Sequence, residues 1–370
     1  MSKRSTLSYL LFPFTMWYAV GVSFRNMLFG LGVKKQVAPH VTTISVGNLA
    51  TGGTGKTPHV EYLLGLLSEE FPTALLSRGY KRKTSGYVLA GEAATADQIG
   101  DEPFMMHRKF PHVTTAVCEK RLEGIDHLMS LDNPPQLIVM DDAYQHRYVK
   151  PSINILLTEY QHPYFDDKIL PYGNLREFKS ARDRANIIIV TKSPEKINPI
   201  EKHNMLNSLK SKPYQKVFFS SIVYGQPCGV FGEGRLEVLP PHVLLVTGIA
   251  HPHPMVEQVS RSSKVTHLPF TDHHDFSSAD IEKIRSQFAQ MPQGSVVVTT
   301  EKDAARMQQH REQLTGLPIY YLPITVKVHN NNDIEFDQVI LKAVRENTKF
   351  LEKLSNNPIT KNSHSSPLVR

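Results

Sequence analysis

Cysteine is almost missing from this chain: among 370 residues there are only Cys118 and Cys228, far apart and without metal-ligand spacing. That excludes a disulfide framework and fits a reducing, cytoplasmic setting. Long low-complexity tracts and convincing internal repeats are also lacking. With 40% hydrophobic residues, the composition is that of a folded protein rather than a disordered one. A net charge of +7 favours anionic partners, but it is not gathered into a basic arm; the densest run is "RGYKRK", Arg78 to Lys83. No aromatic and basic recognition pattern accompanies that charge, so nucleic acid is not an expected partner, whereas nucleotides and an anionic membrane surface are.

Nor is there a small-residue cleavage signal after the apolar start "LSYLLFPFTMWYAVGVSF", Leu7 to Phe24. Its eighteen residues reach the lower length for a membrane span. Pro13, Trp17, Tyr18 and Arg25 suit a helix lying in the interface equally well. Residues 1–35 are therefore read as a membrane-associating helix.

Beyond it, short apolar runs such as "TALLS", "LIVM", "INILL", "NIIIV", "HVLLVTG" and "SVVVTT" suit central parallel strands covered by helices on both faces. With the glycine-rich turn "GGTGKT" set between a β-favouring run and a helical one, the fold class expected is α/β: a P-loop nucleoside triphosphate hydrolase-like domain with a mainly parallel sheet, plus a second α/β domain. Proline and glycine in "LPYGNLREF" place the division there, giving a first domain over 36–178 and a second over 179–345. The final helix is free to return to the first domain, and 346–370 reads as a flexible polar tail.

The complete GxxxxGK[ST] spacing is another absence, since Ala50 stands where its first glycine belongs. The physical ingredients remain in "SVGNLATGGTGKTP": a β-favouring run, permissive Gly52, Gly53 and Gly55, then helical spacing of Val60, Leu63, Leu64 and Leu67. Backbone amides around Gly53, Thr54 and Gly55, with the Lys56 ammonium, can surround phosphate oxygens, and the Thr57 hydroxyl can face Mg²⁺. After the run "LIVM", Asp141 and Asp142 provide hard oxygen ligands for the same ion, although a capped turn would look similar. In "GDEPFMM", Asp101 is a candidate base and Glu102 its alternative, against the plainer reading of a helix cap. In "TDHHDF", His273 or His274 could support that base or bind a phosphate oxygen, or be surface histidines. Glu301, Lys302 and Asp303 in "TTEKDAARM" either organise a cleft or cap the next helix.

The ordered set "SVGNLATGGTGKTP", "LLSRGYKRKTSGY", "GDEPFMM", "VMDDAYQHR", "LPYGNLREF", "VTGIAHP", "TDHHDF" and "TTEKDAARM" resembles the tetraacyldisaccharide 4'-kinase family over most of residues 7–310. The resemblance implies ATP- and Mg²⁺-dependent phosphorylation of the 4'-hydroxyl of an acylated disaccharide 1-phosphate, at the cytoplasmic face of the bacterial inner membrane. It implies Asp101 as base, supported by His273 in preference to His274, Lys56 and Thr57 at the phosphates and Mg²⁺, and Asp141, Asp142 and Glu177 as acids near the metal. Ala143 replaces a glycine common in the family. Asn48, Arg78, Lys81 and Arg82 are assigned to the acceptor, the basic three on charge. The alternative function is a membrane-associated P-loop ATPase or GTPase acting on a partner.

Overall fold

In the computed structural model, residues 12–272, 274–330 and 335–355 are described. In chain order the elements are α1 (Phe12–Gly30), β1 (Thr42–Asn48), α2 (Lys56–Leu67), β2 (Thr73–Ser77), β3 (Val88–Leu89), α3 (Asp101–Lys109), β4 (Thr114–Val117) and α4 (Arg121–Met129). Next come β5 (Leu137–Asp141), β6 (Ile153–Glu159), β7 (Ile187–Thr191), α5 (Pro199–Leu209), β8 (Lys216–Tyr224), β9 (Cys228–Gly229) and β10 (His242–Thr247). The chain continues with α6 (His253–Ser260), β11 (Lys264–Pro269), α7 (Ser278–Ala289), β12 (Val296–Thr300), α8 (Glu301–Met307), β13 (Ile319–Leu322), β14 (Ile324–His329) and α9 (Phe336–Ser355).

Two compact units result, one from the residues up to Ser221 with those from Lys327 onward, the other from Ile222–Val326. The first is built on a nine-stranded sheet, ordered β14-β8-β7-β6-β1-β5-β2-β4-β3. From β8 to β4 its neighbours pair in parallel. Strands β1, β5 and β7 are buried along their whole length, as an apolar run covered on both faces must be. The pleat divides β5 between two cores: Leu137 and Val139 join Val60, Leu63 and Leu64 of α2, while Ile138 and Met140 join Ile125 and Leu128 of α4. Phe336, Ile340 and Val344 of α9 pack into the α2 side, within the first unit.

The second unit carries a five-stranded sheet, ordered β11-β10-β12-β13-β9, with β10 at the centre of a parallel trio. The expected division at 178/179 falls inside the first unit. Instead of opening a new sheet, "NIIIV" extends the first one, pairing Ile155 with Ile187 and Val190 with Phe219. Residues 346–355 of the expected tail belong to α9, and 356–370 lie outside the described residues.

The membrane expectation for residues 1–35 is corrected. Among the described residues no helix is long and apolar enough to cross a membrane. Helix α1 docks on the first unit instead: Tyr18 Oη donates to Arg176 O at 3.0 Å, Arg25 to Gln145 O at 2.6 Å, and Asn26 Oδ1 accepts from Arg147 at 2.8 Å. An apolar stretch that carries Arg25 and Asn26 for such contacts is an element of the protein's own fold, which overturns the inner-membrane anchor built on it. Residues 1–11, including Leu7 to Leu11 of that stretch, lie outside the described residues.

Candidate active site

Strand β1 ends at Asn48, and the chain then pairs briefly with residues 174–176: Ala50 bridges Leu175, Thr51 N donates to Asn174 O at 2.8 Å, and Arg176 N to Leu49 O at 2.7 Å. Extended backbone of this kind suits alanine, which is why the missing first glycine does no harm. The tight turn comes later, at Gly52 (φ 109) and Gly55 (φ 86), the second being the left-handed N-cap of α2. No side chain among the described residues caps that helix, so its first amides stay available to an anion.

Buried neighbours hold the loop's shape. Asn48 Nδ2 donates to Thr54 Oγ1 at 2.8 Å, and Thr191 Oγ1 to Thr54 O at 2.9 Å. His59 uses both ring nitrogens, one toward Gly55 O at 2.7 Å and one toward Ser220 Oγ at 2.8 Å. Burial drives its pKa down to about 4, against the pull of the Gly55 bond, so the ring is a neutral strut at physiological pH. Thr191, His59 and Ser220 are functional supports that sequence reasoning missed, since only the folded sheet brings their strands beside the loop.

The acidic pair sits at the carboxyl end of β5, next to β1. Asp141 is buried, its Oδ1 has no hydrogen-bond partner among the described residues, and Ser77 Oγ lies 3.4 Å from Oδ2. Burial, with the charges of Glu102 and Asp142, pushes its pKa up to about 7, against the pull of Lys56 and Arg121. Asp142 behaves oppositely. Burial works against its charge too, yet Lys56 and Arg176 hold its carboxyl below the usual range, with Lys56 Nζ at 3.7 Å and Arg176 Nη1 at 3.1 Å. The left-handed residue of this turn is Asp142 (φ 45), so Ala143 does not need glycine's freedom. Arg176 and the buried Arg121, which donates to Asp141 O at 3.0 Å, are further residues the motifs did not single out.

An orphaned buried carboxylate oxygen beside a second carboxylate and a phosphate loop fits a divalent cation. Among the described residues no three His, Cys, Asp or Glu side chains form a metal cage. Mg²⁺ needs few protein ligands, because it completes its shell with water and phosphate oxygens. Because the folded pKa of Asp141 lies above its unfolded value of 3.8, its protonation stabilises the fold below about pH 4, and that contribution is lost as pH rises through about 7. At pH 8 the ionised group has no competing proton, so Mg²⁺ should raise the melting temperature more at pH 8 than at pH 6, by roughly 2–4 °C per kcal/mol of binding. Asp141→Asn should erase the difference. Equal Mg²⁺ shifts at both pH values in the wild type would refute the assignment.

Other expected site residues divide into those brought to this cluster and those engaged elsewhere. Asp101 and Glu102 form the first turn of α3, and the influence of Glu102 on Asp141 brings that turn to the β5 end. Thr57 follows Lys56 in the first turn of α2 and is half-buried. Arg78 and Lys81 are exposed, on a loop tied to the segment before Asp101 by Lys83 N to Asp97 O at 2.7 Å and Thr84 Oγ1 to Gln98 O at 2.6 Å. Arg82 is different: its guanidinium donates to Gly86 O at 2.6 Å and Glu119 at 2.5 Å, an internal brace rather than an acceptor contact. Glu177 is 2% exposed, with both oxygens paired to Arg184 at 2.9 and 3.1 Å, so its carboxylate holds a structural ion pair rather than facing a metal. Asn48 is fully buried beneath the loop, which places it as a support and not at an acceptor surface.

In the second unit, His274 Nε2 lies 3.0 Å from Asp280 Oδ2, and its ring stacks on Phe270 at 4.8 Å. Asp280 also closes the capping box of α7 with Ser277; those bonds, with His274 assisting, hold its carboxyl at about 2. His273 lies outside the described residues.

A glycine loop between a buried strand and an uncapped helix, with two carboxylates at the end of the adjacent parallel strand, defines a P-loop phosphotransferase that works on a nucleoside triphosphate. The profile of the tetraacyldisaccharide-1-P 4'-kinase family matches residues 7–345. The chain belongs to that family: it is an ATP- and Mg²⁺-dependent kinase acting on the 4'-hydroxyl of tetraacyl disaccharide 1-phosphate in lipid A biosynthesis. Tetraacyldisaccharide 4'-kinase of Bacteroides thetaiotaomicron is 44% identical over 357 residues, spanning 92% of this chain and 94% of its own. That of Flavobacterium johnsoniae is 42% identical over 342 residues, spanning 91% and 97%. The crystal structure of LpxK from Aquifex aeolicus in complex with ATP superposes with a TM-score of 0.71 at 28% identity, covering 93% of this chain and all of that one.

Proposed function

We propose that Lys56 and the backbone amides of Gly53 to Lys56 hold the β- and γ-phosphates of ATP, and that Asp101 takes the proton of the sugar hydroxyl. The new bond joins that oxygen to the γ-phosphorus, the β,γ-bridging bond breaks, and ADP leaves with the electron pair. Thr57 and Asp141 are the residues that would hold Mg²⁺, with Asp142 beside them. The ion supplies positive charge to the phosphate oxygens. Asp142, ionised between Lys56 and Arg176, keeps the lysine aimed across the loop. A histidine of the Asp-His-His turn, His273 in preference to His274, supports the base. Exposed Arg78 and Lys81 suit the acceptor's 1-phosphate, and equally an anionic lipid surface that presents it.

The observation that carries this reading is the cluster itself: Lys56 Nζ 3.7 Å from Asp142, beside an Asp141 oxygen that nothing among the described residues satisfies. Incubation with Mg²⁺, γ-labelled ATP and the tetraacyl disaccharide 1-phosphate should place the label on the 4' oxygen. Nucleotide hydrolysis at the same rate without the acceptor, and no labelled lipid, would overturn it in favour of a partner-driven ATPase.

A further inference from the structure

Three parallel strands of the second unit, in the order β11-β10-β12, send out loops from their carboxyl ends. These are residues 270–272 and 274–276 after β11, 248–252 after β10, and the start of α8 after β12. Such ends are where open α/β sheets present functional groups. Asp303 stands where the three loops meet. It is fully buried, which a carboxylate tolerates only when its oxygens are well engaged. Its Oδ2 accepts from Gly248 N at 2.8 Å and from Thr300 Oγ1 at 2.7 Å, and its Oδ1 from Arg306 at 3.3 Å. Helix capping does not account for this arrangement. Thr300 caps α8 by accepting from Asp303 N at 3.1 Å, while the carboxylate reaches across to the loop of the adjacent strand.

Gly248 is the other half of the junction. A Cβ there would lie 2.9 Å from Asp303 Oδ1, 3.3 Å from His274 Cβ and 3.4 Å from Thr271 O. A methyl group in the seam would therefore push the Asp303 carboxylate aside and crowd the turn after β11, and Phe270 N closes the seam by donating to Thr247 O at 2.7 Å. We propose that Asp303 is a positioning residue for the histidine-bearing turn after β11, holding Gly248 as the floor on which that turn rests. Asp303→Asn keeps the volume but removes the charge and can turn a donor toward the Gly248 amide, lifting the floor.

This inference rests on the reading that the Asp-His-His turn serves catalysis, and the experiment separates the two. Asp303→Asn should lower kcat about 10- to 100-fold, the cost of misplacing a catalytic group by an ångström or less, with KM for ATP unchanged within about twofold. The same substitution is then made in whichever single variant, His273→Ala or His274→Ala, lowers kcat. There it should cost less than about twofold, because the turn no longer carries the group being positioned. Equal losses in both backgrounds, or none in the wild type, overturn the role of Asp303 alone. If neither histidine variant lowers kcat, the catalytic reading of the turn falls and this inference falls with it. Gly248→Ala, which adds the clashing Cβ, is expected to show the same non-additivity and stands in if Asp303→Asn does not fold.

Discussion

Replacing Asp101 with Asn should lower phosphorylation of the acceptor by about 10²- to 10⁴-fold, the range a positioned general base supplies, while ATP still binds with near wild-type affinity. The substitution keeps the shape of a residue in the first turn of α3 and removes only its capacity to take a proton. Single-turnover rates with ATP saturating, alongside a separate ATP titration, separate loss of chemistry from loss of binding. Turnover within about twofold of wild type would remove Asp101 from the proton transfer and turn attention to Glu102. That neighbour offers a control of its own. Its charge helps raise the pKa of Asp141, so Glu102→Gln should move the titration of Asp141 downward even where turnover survives.

What the amino-acid sequence announces, and what it hides, divides along a physical line. Strands β1, β5 and β7 were readable because a strand buried on both faces must be apolar throughout. The phosphate loop was readable because Gly52 and Gly55 occupy backbone regions few other residues enter. Which sheet a strand joins is not written in its composition. Thus "NIIIV" looks alike whether it extends the first sheet or starts a second, and only its register with β6 decides. Partners distant in sequence are equally silent. Nothing local distinguishes Arg82, braced on Glu119, from the exposed Arg78, or tells that Glu177 faces Arg184 rather than a metal. The apolar N-terminal stretch misled for the same reason. Hydropathy records the apolar character of Trp17 and Phe24, both of which stay exposed on the helix, not that the adjoining Arg25 and Asn26 bind the loop after the acidic pair.

Lys56→Ala tests the electrostatic centre of the site, and its effect on catalysis should be about 10²- to 10³-fold, as for removal of one preorganised group facing developing charge. The fold should survive, because Asp142 keeps Arg176 at 3.1 Å and is not left as an unpaired buried charge. ATP affinity should fall as well, since a cation facing the phosphates acts in the ground state and the transition state alike. A further consequence follows from Asp141. Lys56 is one of the two cations that lower its pKa from the value burial would impose, so deleting the lysine raises that pKa above about 7. If Asp141 must be ionised to hold Mg²⁺, the rising limb of the pH–rate profile should move to higher pH in Lys56→Ala, and part of the lost activity should return at alkaline pH. Lys56→Arg should keep the limb in place, because the charge is retained, yet remain slow, because a planar fork does not reproduce a compact ammonium. A profile that falls uniformly without shifting would mean that Asp141 and Lys56 do not share one electrostatic site. A limb moving to lower pH would reverse the sign on which the metal assignment depends.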